Sequence, residues 1–237
     1  MDALWLSIVQ WLHTLGIHVD GDTARGVAEG TARMTSHMDM PSLLALAAAL
    51  GWASGVRLYA VVFMVGGMGA LGWLALPEGL QVLTHPAVLI ASGFMLCVEF
   101  FADKVPWFDS AWDTLHAFIR VPAGALLAAS VFGADNASMG VVAGLLGGTL
   151  SATALATKMT TRAVANTSPE PFSNWGLSLT EDGMTVGAVW LATQHPAAFG
   201  VALVAVLLLS VLLLTVLFKF LRAVLRRLSS FVSPKVA

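Results

Sequence analysis

From residue 197 to residue 218 the chain carries no charged side chain and little besides Val, Leu and Ala. A helix needs about 20 mostly apolar residues to cross the hydrocarbon core of a bilayer, and this stretch supplies them. Five further apolar runs precede it: 43–76, broken only by Arg57, then 86–101, 121–132, 139–156 and 183–193. The runs at 121–132 and 183–193 reach span length only if the polar residues before them are helical as well. Charged residues make up 11% of the chain, against about 25% in soluble domains. That scarcity excludes a disordered chain and an ordinary water-soluble domain. Cys97 is the only cysteine, which excludes an intrachain disulfide. Inside an apolar run it reads as a small buried hydrophobe. There is no basic excess and no zinc spacing, so nucleic acid is not an expected partner. The class that remains is an all-α integral membrane protein of about six transmembrane helices, whose first partner is the lipid bilayer.

Three regions follow from the pattern. Residues 1–40 form an N-terminal segment. Its positions 3–17 alternate apolar and polar at helical spacing, with Trp5 and Trp11 among them, and read as an amphipathic interfacial helix. Asp2 stands where a signal peptide would carry a basic residue. Residues 41–222 form the membrane domain, and residues 223–237 a basic tail. Lys219, Arg222, Arg226, Arg227 and Lys235 place that tail in the cytoplasm. Segments 76–85, 133–138 and 194–196 hold no Lys or Arg, whereas the segments around Lys104 and Arg120 and around Lys158 and Arg162 are basic. Six crossings with both termini inside satisfy this bias throughout. His85-Pro86 and His195-Pro196 then each open a helix from the outer side, where proline's missing N–H needs no partner.

A weak internal repeat is visible. Setting 99–129 against 162–192 aligns Pro106 with Pro169, Ser110 with Ser173, Trp112 with Trp175 and Gly124-Ala125 with Gly187-Ala188. The two copies read as Pro-broken hairpins, a device from which transporter folds are often built. Two unrelated hairpins would explain the matches equally well.

The few charges concentrate at these hairpins. Asp109, Asp113, His116 and Arg120 are spaced 4, 3 and 4, which puts them on one stripe of a helix. Glu99 and Asp103 lie one turn apart just before, followed by Lys104. Carboxylates suit hard cations and imidazole suits transition metals, so Asp109, Asp113 and His116 are candidate metal ligands. A proton relay and a solvated face of paired charges are the competing readings of the same stripe. In the second hairpin Lys158 and Arg162 lie four apart. The stretch from Lys158 to Asn174, rich in hydroxyls, amides and prolines, is expected to break the helix, with Ser173 or Asn174 capping the next one. Asn166, Ser168 and Asn174 belong to this break, and Glu181 and Asp182 follow it. Arg57 sits inside the first apolar run, with Tyr59, the only tyrosine, two residues on. An arginine at membrane depth needs a partner, and Glu99, Asp103, Glu181 and Asp182 are the candidates.

Ser54-Gly55-Val56-Arg57-Leu58-Tyr59, Glu99 to Pro106 with the acid stripe, Lys158 with Arg162, and Asn166 to Asn174 with Glu181-Asp182 together resemble the bacterial membrane family called domain of unknown function 4126, over roughly residues 43–220. The resemblance implies a bacterial inner-membrane protein and no particular chemistry.

The residues themselves point first to a small transporter or channel coupled to a divalent cation or to protons. Its site would draw on Arg57, Tyr59, Glu99, Asp103, Lys104, Asp109, Asp113, His116, Arg120, Lys158, Arg162, Asn166, Ser168, Asn174, Glu181 and Asp182. Clamping of an anionic solute or lipid phosphate by Arg57, Arg120, Lys158 and Arg162, in a binding protein or a membrane enzyme, is the second reading, and a non-catalytic assembly subunit the third. No HExxH or catalytic serine motif points to an enzyme, and no cofactor is evident. A bundle of this size is compatible with a homo-oligomer, although no heptad or repeated small-xxx-small stripe compels one.

Overall fold

A computed structural model describes residues 38–105, 108–133, 136–166 and 171–232. The amphipathic reading of residues 3–17 and the candidate Ser168 lie outside the described residues. The described chain is all helical. Helix α1 (Met40–Ala70) is followed by a 3-10 helix (Glu78–Thr84), α2 (Pro86–Ala102), α3 (Phe108–Ser130), α4 (Ala137–Ala165), α5 (Pro171–Gln194) and α6 (Pro196–Val232). Three helices, α1, α4 and the Pro196–Phe220 stretch of α6, are long and apolar enough to cross a membrane. A fourth span results if the 3-10 helix and α2, bent by 68° at their junction, count as one. Helix α3 falls short on composition because Asp109, Asp113 and Arg120 lie within it.

Each helix starts where local chemistry allows. Asp39 caps α1 by accepting a hydrogen bond from Ser42 N at 3.2 Å, and a proline follows in the first turn. His85 caps α2 through Ala87 N at 3.2 Å, with Pro86 next. Asn136 caps α4 through Met139 N at 3.4 Å. Gly72 and Gly133 take positive φ just beyond α1 and α3, a conformation that costs glycine nothing. Helix α3 is continuous from 108, so the short apolar run at 121–132 does gain its length from the polar stripe before it. Helix α5 extends the run at 183–193 in the same way.

Three expectations need correction. Helix α4 stays helical through Lys158 and Arg162 and ends only at Ala165, because the threonines there bond back to their own helix: Thr157 to Thr153 O at 2.8 Å and Thr161 to Thr157 O at 3.0 Å. Ser173 and Asn174 lie inside the first turn of α5 and do not cap it. Cys97 is exposed on the outer face of α2. In a bilayer that outer face is also apolar, so a small hydrophobe is not driven inward.

Helix α1 is the axis of the bundle, with α3, α4 and α5 packed around it. Close packing rests on small residues. A Cβ placed on Gly51 would come within 2.5 Å of Gly147 Cα, and one on Gly55 would collide with Ser151 O. One on Gly124 would reach 2.8 Å from Ser151 Cβ, so α1, α3 and α4 meet at one crossing that larger side chains would wedge apart. At the end of the bundle beside the 3-10 helix the core is dry: Val61, Val65, Leu80, Leu83, Leu127 and Val131 are all buried there. The other half, toward the α2–α3 and α4–α5 turns, holds the charges. Helix α6 stands at the edge, with Val201, Val204, Leu208 and Leu212 exposed.

Candidate functional site

The acid stripe of α3 turns inward. Asp109, Asp113, His116 and Arg120 are all buried, whereas Leu115, Phe118 and Ile119 on the opposite face are exposed. From Asp109 to Arg120 the helix rises about 16 Å at 1.5 Å per residue, so the stripe runs about half the depth of a hydrocarbon core.

At the deep end, Arg120 donates from Nη1 to Asp113 Oδ1 at 2.7 Å and from Nη2 to Glu99 Oε1 at 2.5 Å. Its backbone carbonyl accepts from Ser151 Oγ at 3.0 Å, which ties α4 to α3 at the small-residue crossing. Lys158 stands beside it, 3.1 Å from Asp113 Oδ1 and 3.4 Å from Glu181 Oε2.

Arg57 occupies the middle of the cluster and interrupts its own helix. Two helical stretches of α1 meet there, with backbone φ −146° and ψ 79°. Lys158 Nζ donates to the carbonyl of Val56 at 3.2 Å. The Arg57 guanidinium lies 2.9 Å from Asp103 Oδ2 and 3.0 Å from Asp182 Oδ1, with Glu181 at 3.8 Å. It also donates to Ser178 Oγ at 2.7 Å. Three of the four acids expected as its partners are therefore its partners.

At the shallow end Arg162 grips Glu181 with two parallel hydrogen bonds, Nε to Oε1 at 3.0 Å and Nη2 to Oε2 at 2.8 Å. Its Nη1 donates to the Asp103 carbonyl at 2.8 Å, closing the end of α2 onto α4. Asn166 donates to Asp109 Oδ1 at 3.0 Å and accepts from Asn174 at 2.7 Å, so the two asparagines latch the two hairpin turns together.

The count of charges is uneven. Glu99, Asp103, Asp109, Asp113 and Glu181 are five buried carboxylates against four buried cations, Arg57, Arg120, Lys158 and Arg162. Asp182, about a third exposed, adds a sixth acid at the edge. The hydrogen bonds are uneven too. Asp103 Oδ2 lies within 4.0 Å of Arg57, Lys158 and Arg162, yet no donor hydrogen is aimed at either carboxylate oxygen. Glu99 Oε2 and Asp113 Oδ2 likewise have no hydrogen-bond partner among the described residues. Buried carboxylate oxygens are normally satisfied, so these three groups hold spare capacity for a proton or a cation.

The aromatic neighbours lie beside this network. The His116 ring stacks on Trp112 at 4.1 Å and meets Tyr59 edge-on at 5.8 Å. Its Nδ1 lies 2.9 Å from the Trp112 carbonyl, which only accepts, so Nδ1 carries the hydrogen and Nε2 is left basic in the neutral ring. Asp109, Asp113 and His116 share a face but not a centre, each engaged by different partners. Among the described residues no group of three or more His, Cys, Asp or Glu side chains is arranged to hold a metal ion. Lys104 stays outside the cluster, lying over the Phe100 ring and donating to the Phe100 carbonyl at 3.2 Å. Burial first, and then repulsion from Arg57, lower its pKa below the usual lysine value.

Ser178, Ser151 and the Val56 carbonyl complete the cluster and are absent from the candidate list drawn from sequence. Ser151 carried no warning, because a helical serine ordinarily bonds back to its own preceding turn, whereas the spacing of Ser178 does put it within reach of the face of Glu181 and Asp182. A family model described as Domain of unknown function (DUF4126) matches residues 44–216. No curated protein and no solved structure matches the chain.

Proposed function

The chain belongs to this family, and we propose that it crosses the bacterial inner membrane six times, with both termini in the cytoplasm, and carries a proton or a small cation through its acidic core. The observation that carries the reading is the excess of buried carboxylate over buried cation, with Asp103 held near three cations but given no directed hydrogen bond. A core that only fastened helices together would be balanced in charge and saturated in hydrogen bonds. One proton or one monovalent cation restores the balance among the five buried acids.

Support for six crossings comes from the outward faces of α3 and α5. Leu115, Phe118 and Leu126 on α3, and Leu179, Val186 and Trp190 on α5, are exposed apolar side chains, while their polar residues turn inward. That inside-out pattern suits lipid contact. At about 26 Å for α2 and about 35 Å for α3 and α5, the lengths approach or exceed a hydrocarbon core. The repeat reading is supported by the matched placement of the α2–α3 and α4–α5 turns, both at the charged end. The interruption of α1 at Arg57 supplies the kind of broken helix around which transporters alternate access.

The phosphate clamp finds less support, since all four of its cations already face carboxylates. The test is flux into proteoliposomes under a pH gradient, and then under Na+ or K+ gradients. We expect Asp103→Asn to abolish flux while the protein stays monodisperse. Wild-type flux from Asp103→Asn, Asp113→Asn and Glu181→Gln alike would remove the site assignment.

A further inference from the structure

Beside the ionic cluster a crevice of about 280 Å³ opens sideways between α1, α4, α5 and α6. Its walls include Leu177 and Leu213, and its lining also holds Lys158 and Glu181. Two polar groups in it have nothing to do. Trp52 is 5% exposed, and its indole N–H has no hydrogen-bond partner. Ser210 is 3% exposed, and its hydroxyl makes no hydrogen bond among the described residues, although a serine on a helix can usually reach the carbonyl one turn back. Burying an unpaired donor costs free energy, and Trp52 Nε1 is such a donor, so the crevice suits an acceptor that arrives from outside the chain, with the Ser210 hydroxyl on the same lining able to add a second hydrogen bond.

The position of the crevice restricts what that acceptor can be. Ser210 lies 14 residues into the 25-residue apolar stretch Pro196–Phe220, about 21 Å along it at 1.5 Å per residue, near the bilayer midplane. The headgroup of an ordinary phospholipid does not reach that depth. A charged head would be costly there, and an anionic one would also meet the Glu181 carboxylate. The volume admits one ring or one short polar head, with the apolar remainder lying along the exposed side of α6.

We infer that this crevice binds an uncharged lipid through a carbonyl oxygen, which accepts from Trp52 Nε1 and Ser210 Oγ. A quinone ring and the ester of a neutral acylglycerol share that chemistry. The crevice shares Lys158 and Glu181 with the ionic cluster, but its test reads bound lipid and the flux test reads transport, so the two can fail separately.

The full chain in lipid nanodiscs is photolabelled with a diazirine-bearing alkyl benzoquinone or a diazirine-bearing monoacylglycerol, and the adducts are mapped by mass spectrometry. The expected result is saturable labelling confined to 177–184 and 206–213 by at least one probe; the probe that labels identifies the source of the carbonyl. Trp52→Phe and Ser210→Ala should each raise the half-saturating concentration by about three- to tenfold, the effect of one lost hydrogen bond. Both changes keep the apolar wall, and an unchanged melting midpoint verifies folding. Non-saturable labelling spread over the lipid-facing positions of α6, half-saturation unmoved in both variants, or better competition by oleate than by either neutral probe would overturn the inference.

Discussion

Arg120 shows how much rests on one side chain. It is fully buried and joins Glu99 of α2 to Asp113 of its own helix. Removing it leaves Glu99 and Asp113 to share the Lys158 ammonium, 4.0 and 3.1 Å away, so Arg120→Gln should destabilise the protein by about 3–5 kcal/mol, read from thermal unfolding in detergent. Adding Glu99→Gln should recover part of that loss, because the uncompensated charge is then removed. Asp182 is the contrast. Its side chain is about a third exposed and pairs with Arg57 alone. Asp182→Asn should shift stability by no more than about 1 kcal/mol in the same assay. Arg162 belongs with Arg120: its two-pronged grip on Glu181 needs a planar fork, so Arg162→Lys should not restore wild-type stability.

At the scale of the helix, glycines separate packing from propensity. Gly55 presses on Ser151 of α4, so Gly55→Val should force the α1–α4 crossing apart and cost about 1–3 kcal/mol or more. Gly67 sits on the same helix with nothing within 4 Å of an added Cβ. Gly67→Ala should therefore be neutral or stabilising by up to about 1 kcal/mol, its helix propensity being better. Much of this scale was legible in the residues. The prolines after His85 and His195 marked helix starts because a first-turn N–H has no partner to lose. The 4, 3, 4 spacing on α3 marked one stripe because helical geometry puts those positions on the same face, but whether that face turned inward or to solvent was left to the packing. The break at Arg57 was not legible, since no proline announces it and its contacts come from α2, α4 and α5. Gly124 and Ser151, which face a neighbour, were hidden for a related reason. Their role depends on which helix comes close, and periodicity within one helix does not carry that information.

For the whole molecule, the proposed six crossings give a parity that can be measured. Reporter fusions after residue 232 and before residue 38 should both read as cytoplasmic, and one inserted between residues 133 and 136 as external. An external C-terminal reporter would require an odd number of crossings. The two halves of the bundle also differ as electrical media. The end holding Asp109, Asn166 and Arg162 is polarisable, whereas the end closed by Val61, Val65, Leu80, Leu83, Leu127 and Val131 is an insulator. A membrane voltage divides between such layers in favour of the insulator. A charge that exchanged between the cluster and the polar side would barely sense the field. One that passed the aliphatic half would carry most of the full work, about 2.3 kcal/mol per elementary charge per 100 mV. On the proposed function, the apolar packing beside the 3-10 helix would make filling the site from one face electrically silent and leave voltage to act on emptying it through the other.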